Sequence, residues 1–376
     1  MNDSSQRNRV KILQHTLEEK GFDAIIFLDQ NCHRTLTGTW HITTADPVEA
    51  CIIPAHQDPI LIVHANTRSV VGEETWIKDI RERIPFPLSF VKPSEPKSLA
   101  NMISEILGEL KSSKNKIAID ENRTPLSIVR AVEKARNVTF EGVAPLLDSV
   151  LGIRSTEEIE LLRKAARIAD DGMKAAFEAI KPEKRECEVA AECVRVMVSS
   201  GADRLWFPLV VCSGTRSGIP YAYATEKVIK KGDLVQLDFG PVYNGCYADL
   251  SRARVAGQSN SEQQKIYNIV LEANRAAISA IKPGIKAGEI DRASRKIIDD
   301  AGYGEYSTTH HTGHPVGFIY GPEIEPTNQT TIKEGMTFTI EPGIYIPSKF
   351  GIRVEDNVLV TKSGCEVLTQ IDRTCP

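Results

Sequence analysis

Apolar residues in the first part of the chain recur at two different spacings. Between Arg9 and Lys20 they fall at Val10, Ile12, Leu13 and Leu17, the stripe of an amphipathic helix, and Gly21 ends it. Asp23–Asp29 then reads Asp-Ala-Ile-Ile-Phe-Leu-Asp, an apolar run of strand length bounded by acids. Ala50–Pro54 and Pro59–Val63 are two more such runs, joined by the polar turn Ala55-His-Gln-Asp58. Ser98–Leu110 returns to helical spacing and Lys116–Asp120 to a strand. The alternation predicts a first domain over residues 1–150, a mixed sheet covered by helices, in an α/β (α+β) chain. No nucleotide-binding glycine loop interrupts it.

The pattern changes near Ser155, where a second domain, residues 151–376, is expected. Ser155-Thr-Glu-Glu158 is a helix cap followed by acids, and helical spacing runs on to about Ile180. This domain repeats itself. Ala175-Ala-Phe-Glu-Ala-Ile-Lys-Pro182 recurs as Ala276-Ala-Ile-Ser-Ala-Ile-Lys-Pro283, 101 residues later, and Glu188-Val189 returns as Glu289-Ile290 in the same phase. Each copy reads as a long helix, a Lys-Pro break, a second helix ending at a glycine (Gly201, Gly302), and then strands. Two αα-ββ halves packed about a pseudo-two-fold axis, with a cleft between their sheets, are therefore expected.

Each half also carries two acids on its strands. Asp238 and Asp249 flank an Asn244-Gly245 turn signal, and Glu341 and Glu355 occupy the corresponding stretch of the second copy. Taken singly, each acid could be paired with Arg252, Arg254, Arg353 or a lysine. Four carboxylates in phase with the repeat would repel one another, and two divalent cations relieve that repulsion. The second domain holds three histidines, His310, His311 and His314, all just ahead of Glu341; His314, between glycines, is placed to add a nitrogen ligand.

Composition narrows the alternatives. The chain is 41% hydrophobic and 26% charged with a net charge of −4, and it has no long basic run, so nucleic acid is not an expected partner. No apolar stretch approaches the ~18 residues of a membrane span. The eight cysteines form no Cys-x-x-Cys pair, and the N-terminus lacks a signal-peptide core, so reduced thiols and a cytoplasmic location are expected.

Gly232-Asp-Leu-Val-Gln-Leu-Asp-Phe-Gly240, Asp249-Leu-Ser-Arg252, Thr312-Gly-His314, Ile340-Glu-Pro-Gly-Ile-Tyr345 and Gly351-Ile-Arg-Val-Glu-Asp-Asn-Val-Leu-Val360 together resemble the pita-bread metallopeptidases. That family includes methionine aminopeptidases, Xaa-Pro aminopeptidases, prolidases and creatinase-like enzymes. The resemblance covers nearly the whole chain, and the first domain is similar to the creatinase-type N-terminal domain. It implies that Asp238, Asp249, His314, Glu341 and Glu355 hold two divalent ions, manganese by family habit, with cobalt, zinc or iron as alternatives. It further implies a metal-activated water as nucleophile, Glu341 as proton shuttle, His310 near the substrate, Arg353 holding either a substrate carboxylate or the metal carboxylates, and a homodimer. The implied reaction is hydrolysis of a C–N bond in a short Xaa-Pro peptide. Two positions depart from the peptidase pattern: Tyr221 and Gly321 stand where histidines are usual. Tyr221 is an alternative hydrogen-bond donor, with Tyr320 or His310 as the second. The same departures keep open a small-molecule enzyme on this scaffold, similar to ectoine hydrolase, creatinase or dimethylsulfoniopropionate lyase.

Overall fold

The first helix, α1 (Ser4–Lys20), buries Val10, Leu13 and Leu17, while Ile12, off that i, i+3, i+7 stripe, is 43% exposed. The structure is a computed structural model describing residues 4–39, 48–84, 97–110, 114–307 and 310–373, and it divides into two units, Met1–Leu151 and Gly152–Pro376.

In the first unit, helices α2 (Gln30–Thr37), α3 (Arg68–Glu74), α4 (Leu99–Glu109), α5 (Leu126–Ala135) and α6 (Ala144–Leu151) join α1 around one sheet. Its strands are β1 (Ala24–Phe27), β2 (Val48–Pro54), β3 (Ile60–His64), β4 (Asp79–Arg83), β5 (Lys116–Ile119) and β6 (Thr139–Gly142), in the order β4-β3-β2-β1-β5-β6. The sheet is mixed, as expected: β1–β2 and β2–β3 are antiparallel, and β3–β4, β1–β5 and β5–β6 are parallel. The apolar runs form the four inner strands. The two edge strands, Asp-Ile-Arg-Glu-Arg and Thr-Phe-Glu-Gly, escape sequence reading because a half-exposed edge carries no apolar run.

The second unit begins with α7 (Thr156–Ala179), whose first turn is closed by a reciprocal capping box between Ser155 and Glu158. Then follow α8 (Glu186–Ser199), β7 (Arg204–Leu205), β8 (Val210–Ser213), β9 (Leu234–Phe239), β10 (Pro241–Tyr243), β11 (Cys246–Tyr247) and β12 (Leu250–Val255). The order then recurs as α9 (Ser261–Ala280), α10 (Ala287–Asp300), β13 (Thr337–Ile340), β14 (Gly343–Ile346), β15 (Phe350–Arg353), β16 (Asp356–Val360) and β17 (Cys365–Val367). Both ends of α8 and α10 keep the 101-residue offset of the repeat. Each half packs its helices on its own strands, and a further cluster joins the halves, with Leu234, Ala253 and Val255 beside Ile266, Ile344 and Ile352. Leu162, Ala165 and Met173 of α7 pack on Val235, Leu237 and Phe239 of β9, whereas Ala277 and Ile290 of α9 and α10 pack on Phe338, Ile340 and Val358.

The central pairs are antiparallel: β9 with β12, placing Ser251 opposite Asp238, and β13 with β16, placing Asp356 opposite Ile340. The Asn244-Gly245 turn closes the short hairpin β10–β11, with both residues in the left-handed region (φ 48° and 76°) that a two-residue hairpin demands. Asp249 therefore lies just before β12, beyond that hairpin, rather than on the strand the turn itself joins. Glu341 and Glu355 sit just past the matching end of β13–β16.

Candidate metal centre

A cavity of about 640 Å³ opens at those strand ends. Its walls include Asp238, Asp249, His314, Glu341 and Glu355, together with Tyr221, His310 and Trp206. Asp249, His314 and Glu355 each offer a ligand atom within 4.8 Å of the others. His314 Nε2 lies 3.5 Å from Asp249 Oδ2 and 3.4 Å from Glu341 Oε1. Its Nδ1 is 2.9 Å from the Pro315 carbonyl, which can only accept, so Nδ1 carries a proton and Nε2, the nitrogen that would bind a cation, faces the acids.

The polar supports of the site stand two residues along the strand from an acid, where side chains share a face. Thr339 Oγ1 donates to Glu341 Oε1 (3.0 Å) and accepts from the His314 amide (3.0 Å). Asn357, two residues after Glu355, accepts from the Asp249 amide (3.1 Å) and donates to the Asp249 carbonyl. Ser251, two after Asp249, accepts from Arg353 Nε (2.8 Å). Strand periodicity marks these supports, but only their partners show their purpose.

Arg353 is buried behind the cavity wall, paired with Asp238, and donates 2.7 Å to the Tyr345 hydroxyl. That hydroxyl lies 2.8 Å from His310 Nε2, and His310 Nδ1 is 2.7 Å from the His311 carbonyl. Both acceptor assignments run one way: Arg353 donates to Tyr345, Tyr345 to His310, and His310 to a main-chain oxygen. Tyr221 is 60% exposed and meets the His310 ring edge-on at 6.3 Å. Tyr320 is buried to 1% exposure and is not part of the cavity wall. Trp206 is on the wall, stacked on Tyr247 at 4.3 Å, while Trp76 is buried in the first unit with its indole bonded to the Leu36 carbonyl; Trp40 and His41 lie outside the described residues. Sequence reading missed Phe207, Tyr223 and the His311–Glu323 pair (3.1 Å), which complete the wall from loops without periodicity.

Electrostatically the site is short of positive charge. Burial pushes Asp238 up to about 7 despite Arg353, and burial with Asp249 and Glu341 nearby holds Glu355 well above the carboxylate range. Glu341 goes the other way: burial would raise it, but His314, His310 and Arg353 outweigh burial and lower it. Burial would lower His314, but the bond to Asp249 and the Glu341 charge raise it to about 10. Asp238 Oδ1, Asp249 Oδ1 and Glu355 Oε1 are buried with no hydrogen-bond partner. An unpaired buried polar atom costs about 1–3 kcal/mol, and more if charged. Three such oxygens from three acids, two of them grouped with an imidazole nitrogen and the third on the same cavity wall, form the donor set that hard or borderline divalent cations take. The residues fit a metal centre.

A duplicated αα-ββ scaffold that turns four carboxylates and an imidazole into one cavity belongs to the class of metal-dependent hydrolases. Residues 160–362 match metallopeptidase family M24, and residues 9–150 match the creatinase/prolidase N-terminal domain. The chain belongs to metallopeptidase family M24 and is a metal-dependent peptidase. It is 43% identical over 243 residues to the Xaa-Pro dipeptidase of Pyrococcus furiosus, covering 64% of this chain and 70% of that protein. Among solved structures it is similar to the prolidase from Pyrococcus furiosus (TM-score 0.83, 33% identity, 96% of this chain and 99% of that one). It is also similar to the Xaa-Pro dipeptidase from Bacillus anthracis (TM-score 0.86, 29% identity, 98% and 99%). No described helix is long and apolar enough to cross a membrane.

Proposed function

We propose that this peptidase cleaves the amide bond of short Xaa-Pro peptides, with Asp238, Asp249, His314, Glu341 and Glu355 holding two divalent ions. The observation that carries this reading is the set of three unpartnered buried carboxylate oxygens that share with His314 a cavity large enough for a dipeptide. When bound, the metal pair supplies Lewis acidity and activates water near neutral pH. Manganese is favoured by family habit, with cobalt, zinc and iron as alternatives for an oxygen-rich site.

The chain's own groups do the rest. Glu341, ionised and 12% exposed at the cavity, is placed to take a proton from the attacking water and pass it to the leaving nitrogen. The Tyr221 hydroxyl is placed to donate to the scissile carbonyl oxygen. Burial lowers His310, so it serves as a neutral wall whose nitrogens are engaged by Tyr345 and the main chain. Arg353 orients Asp238 from behind rather than reaching substrate.

A homodimer, a cytoplasmic address and no nucleic-acid partner complete the proposal. The six described cysteines are free thiols, which suits a reducing compartment, and the net charge of −4 offers nothing to phosphates. The small-molecule alternative draws no support from the named relatives, which are dipeptidases and prolidases. The test is to incubate manganese-loaded protein with Xaa-Pro dipeptides and tripeptides, alongside creatine, ectoine and dimethylsulfoniopropionate, and to follow products by mass spectrometry. Release of proline is expected. Turnover of a small molecule instead, with the metals bound and the peptides intact, would overturn the Xaa-Pro reading.

A further inference from the structure

Two loops bring Tyr221 and His310 face to edge across the cavity, and each loop is gripped from below by a buried carboxylate working with an arginine. In the first half the carboxylate is Glu186, the opening residue of α8, which is wholly buried. It accepts from the Ser213 amide and hydroxyl (both 2.8 Å), from the Thr225 amide (3.2 Å) and hydroxyl (2.8 Å), and from Arg216. These bonds close the base of residues 213–225. Arg216 also donates 2.9 Å to the Tyr223 carbonyl, two residues past Tyr221.

In the second half the carboxylate is Asp291 of α10, also wholly buried. Arg295, one turn on, donates through Nε to both Asp291 oxygens (3.0 and 2.8 Å), and Thr312 donates to Oδ1 at 2.6 Å. The two remaining nitrogens of Arg295 reach the carbonyls of Ser307 (2.8 Å) and His310 (3.1 Å). The planar guanidinium therefore joins the helix to the main chain of His310 itself, in a geometry lysine cannot reproduce.

The two grips are not one inherited residue. By the repeat offset Glu186 corresponds to Ala287, and Asp291 to Ala190. Each half has reached a comparable grip from a different position on its second helix, with Arg216 on the loop and Arg295 on the helix, and in both the arginine ends on the carbonyl of a cavity residue.

We propose that Arg216 and Arg295, seated on Glu186 and Asp291, are positioning residues that set the Tyr221–His310 separation and so the substrate side of the cavity. The inference rests on the proposed roles of Tyr221 and His310. Neither arginine touches substrate; each acts through the main chain of its loop. Displacements of about 1 Å in such groups can cost up to ~10²-fold in rate.

The experiment is a double-mutant cycle with Ala-Pro as substrate, comparing Arg295→Lys, His310→Ala and the double variant in metal-loaded protein, with melting temperatures recorded for all. Arg295→Lys is expected to lower kcat/KM roughly 10- to 100-fold with little change in melting temperature. The double variant should be no slower than His310→Ala alone, and added guanidinium should restore part of the activity of Arg295→Ala. Multiplying losses, or a loss that follows a lowered melting temperature, would overturn the inference and show a structural anchor only. A slow Arg295→Lys beside an unaffected His310→Ala would also overturn it, since nothing would be left to position. A second readout needs no turnover: the His310 ring-proton resonance, assigned by its absence in His310→Ala, should shift in Arg295→Lys. An unmoved resonance overturns the inference even if Xaa-Pro peptides prove not to be substrates. A shifted resonance with no peptide cleaved by the native protein instead overturns the substrate reading alone.

Discussion

At the residue scale the site is a contest between burial and charge. Asp238 and His314 both bind protons more tightly folded than unfolded, at about 7 against 3.8 and about 10 against 6.5. Their stabilising contribution is thus complete at low pH and fades as pH rises, for Asp238 from about 4 to 7 and for His314 from about 6.5 to 10. Glu355 shifts in the same direction, and the lowered Glu341 has finished titrating below pH 6. Metal-free protein should therefore melt at a lower temperature at pH 8 than at pH 6, and a saturating divalent ion should raise the melting temperature more at pH 8. Calorimetric scans with and without chelator check this; a metal-free melting temperature that rises from pH 6 to 8 contradicts the assigned directions. Tyr221→Phe removes one proposed donor to the carbonyl oxygen and is expected to slow turnover about 10²-fold or more with metal content unchanged. Steady-state kinetics beside elemental analysis separates the two effects. The acids and His314 were legible in the sequence because ionisable groups on apolar strands need a compensating charge. The Arg353–Tyr345–His310 chain was not, because its members come from loops and strands whose spacing in sequence says nothing about their distance in space.

At the element scale, His314 owes its place to a close crossing of main chains. Residues 312–314 run beside the end of β13, with the Glu341 amide donating to the Thr312 carbonyl and the Thr339 amide to the His314 carbonyl, both at 2.8 Å. A Cβ on Gly313 would lie 1.9 Å from the Thr339 carbonyl oxygen, backbone that cannot step aside. Gly313→Ala should thus destabilise the protein by about 1–3 kcal/mol and reduce bound metal, because it pushes His314 away from Glu341. Denaturant titration and metal analysis test both parts; full metal content would show that the crossing is not what seats His314. α1, α4 and α7 and the inner strands followed from hydrophobic spacing, and the repeat phase carried over to α8 and α10 without drift, whereas α2, α3, α5 and α6 were not read from the sequence. Nor were the edge strands β4 and β6, since exposure on both sides removes the apolar signal.

At the scale of the molecule, all five proposed ligands lie in Gly152–Pro376, and the core clusters that pack its two halves, and join them, are made of residues of that unit. A fragment of residues 152–376 should therefore bind the same number of metal ions per chain as the full protein. Metal analysis of the purified fragment decides it, and a folded fragment without metal would place an essential support in residues 1–151. Light scattering of the full chain should report twice its 41.5 kDa mass if the proposed dimer forms. By itself the sequence determined the two-part α/β organisation, the duplication, and the carboxylates and histidine of the candidate cation site, since each of these is written in local periodicity or residue chemistry. Only the tertiary structure decided that Tyr320 is core while Tyr221 is wall, that Arg353 stands behind Asp238, and that Glu186 and Asp291 grip opposite loops. Those facts depend on which side chains meet across long sequence separations, and close packing selects such meetings only once the whole chain has folded.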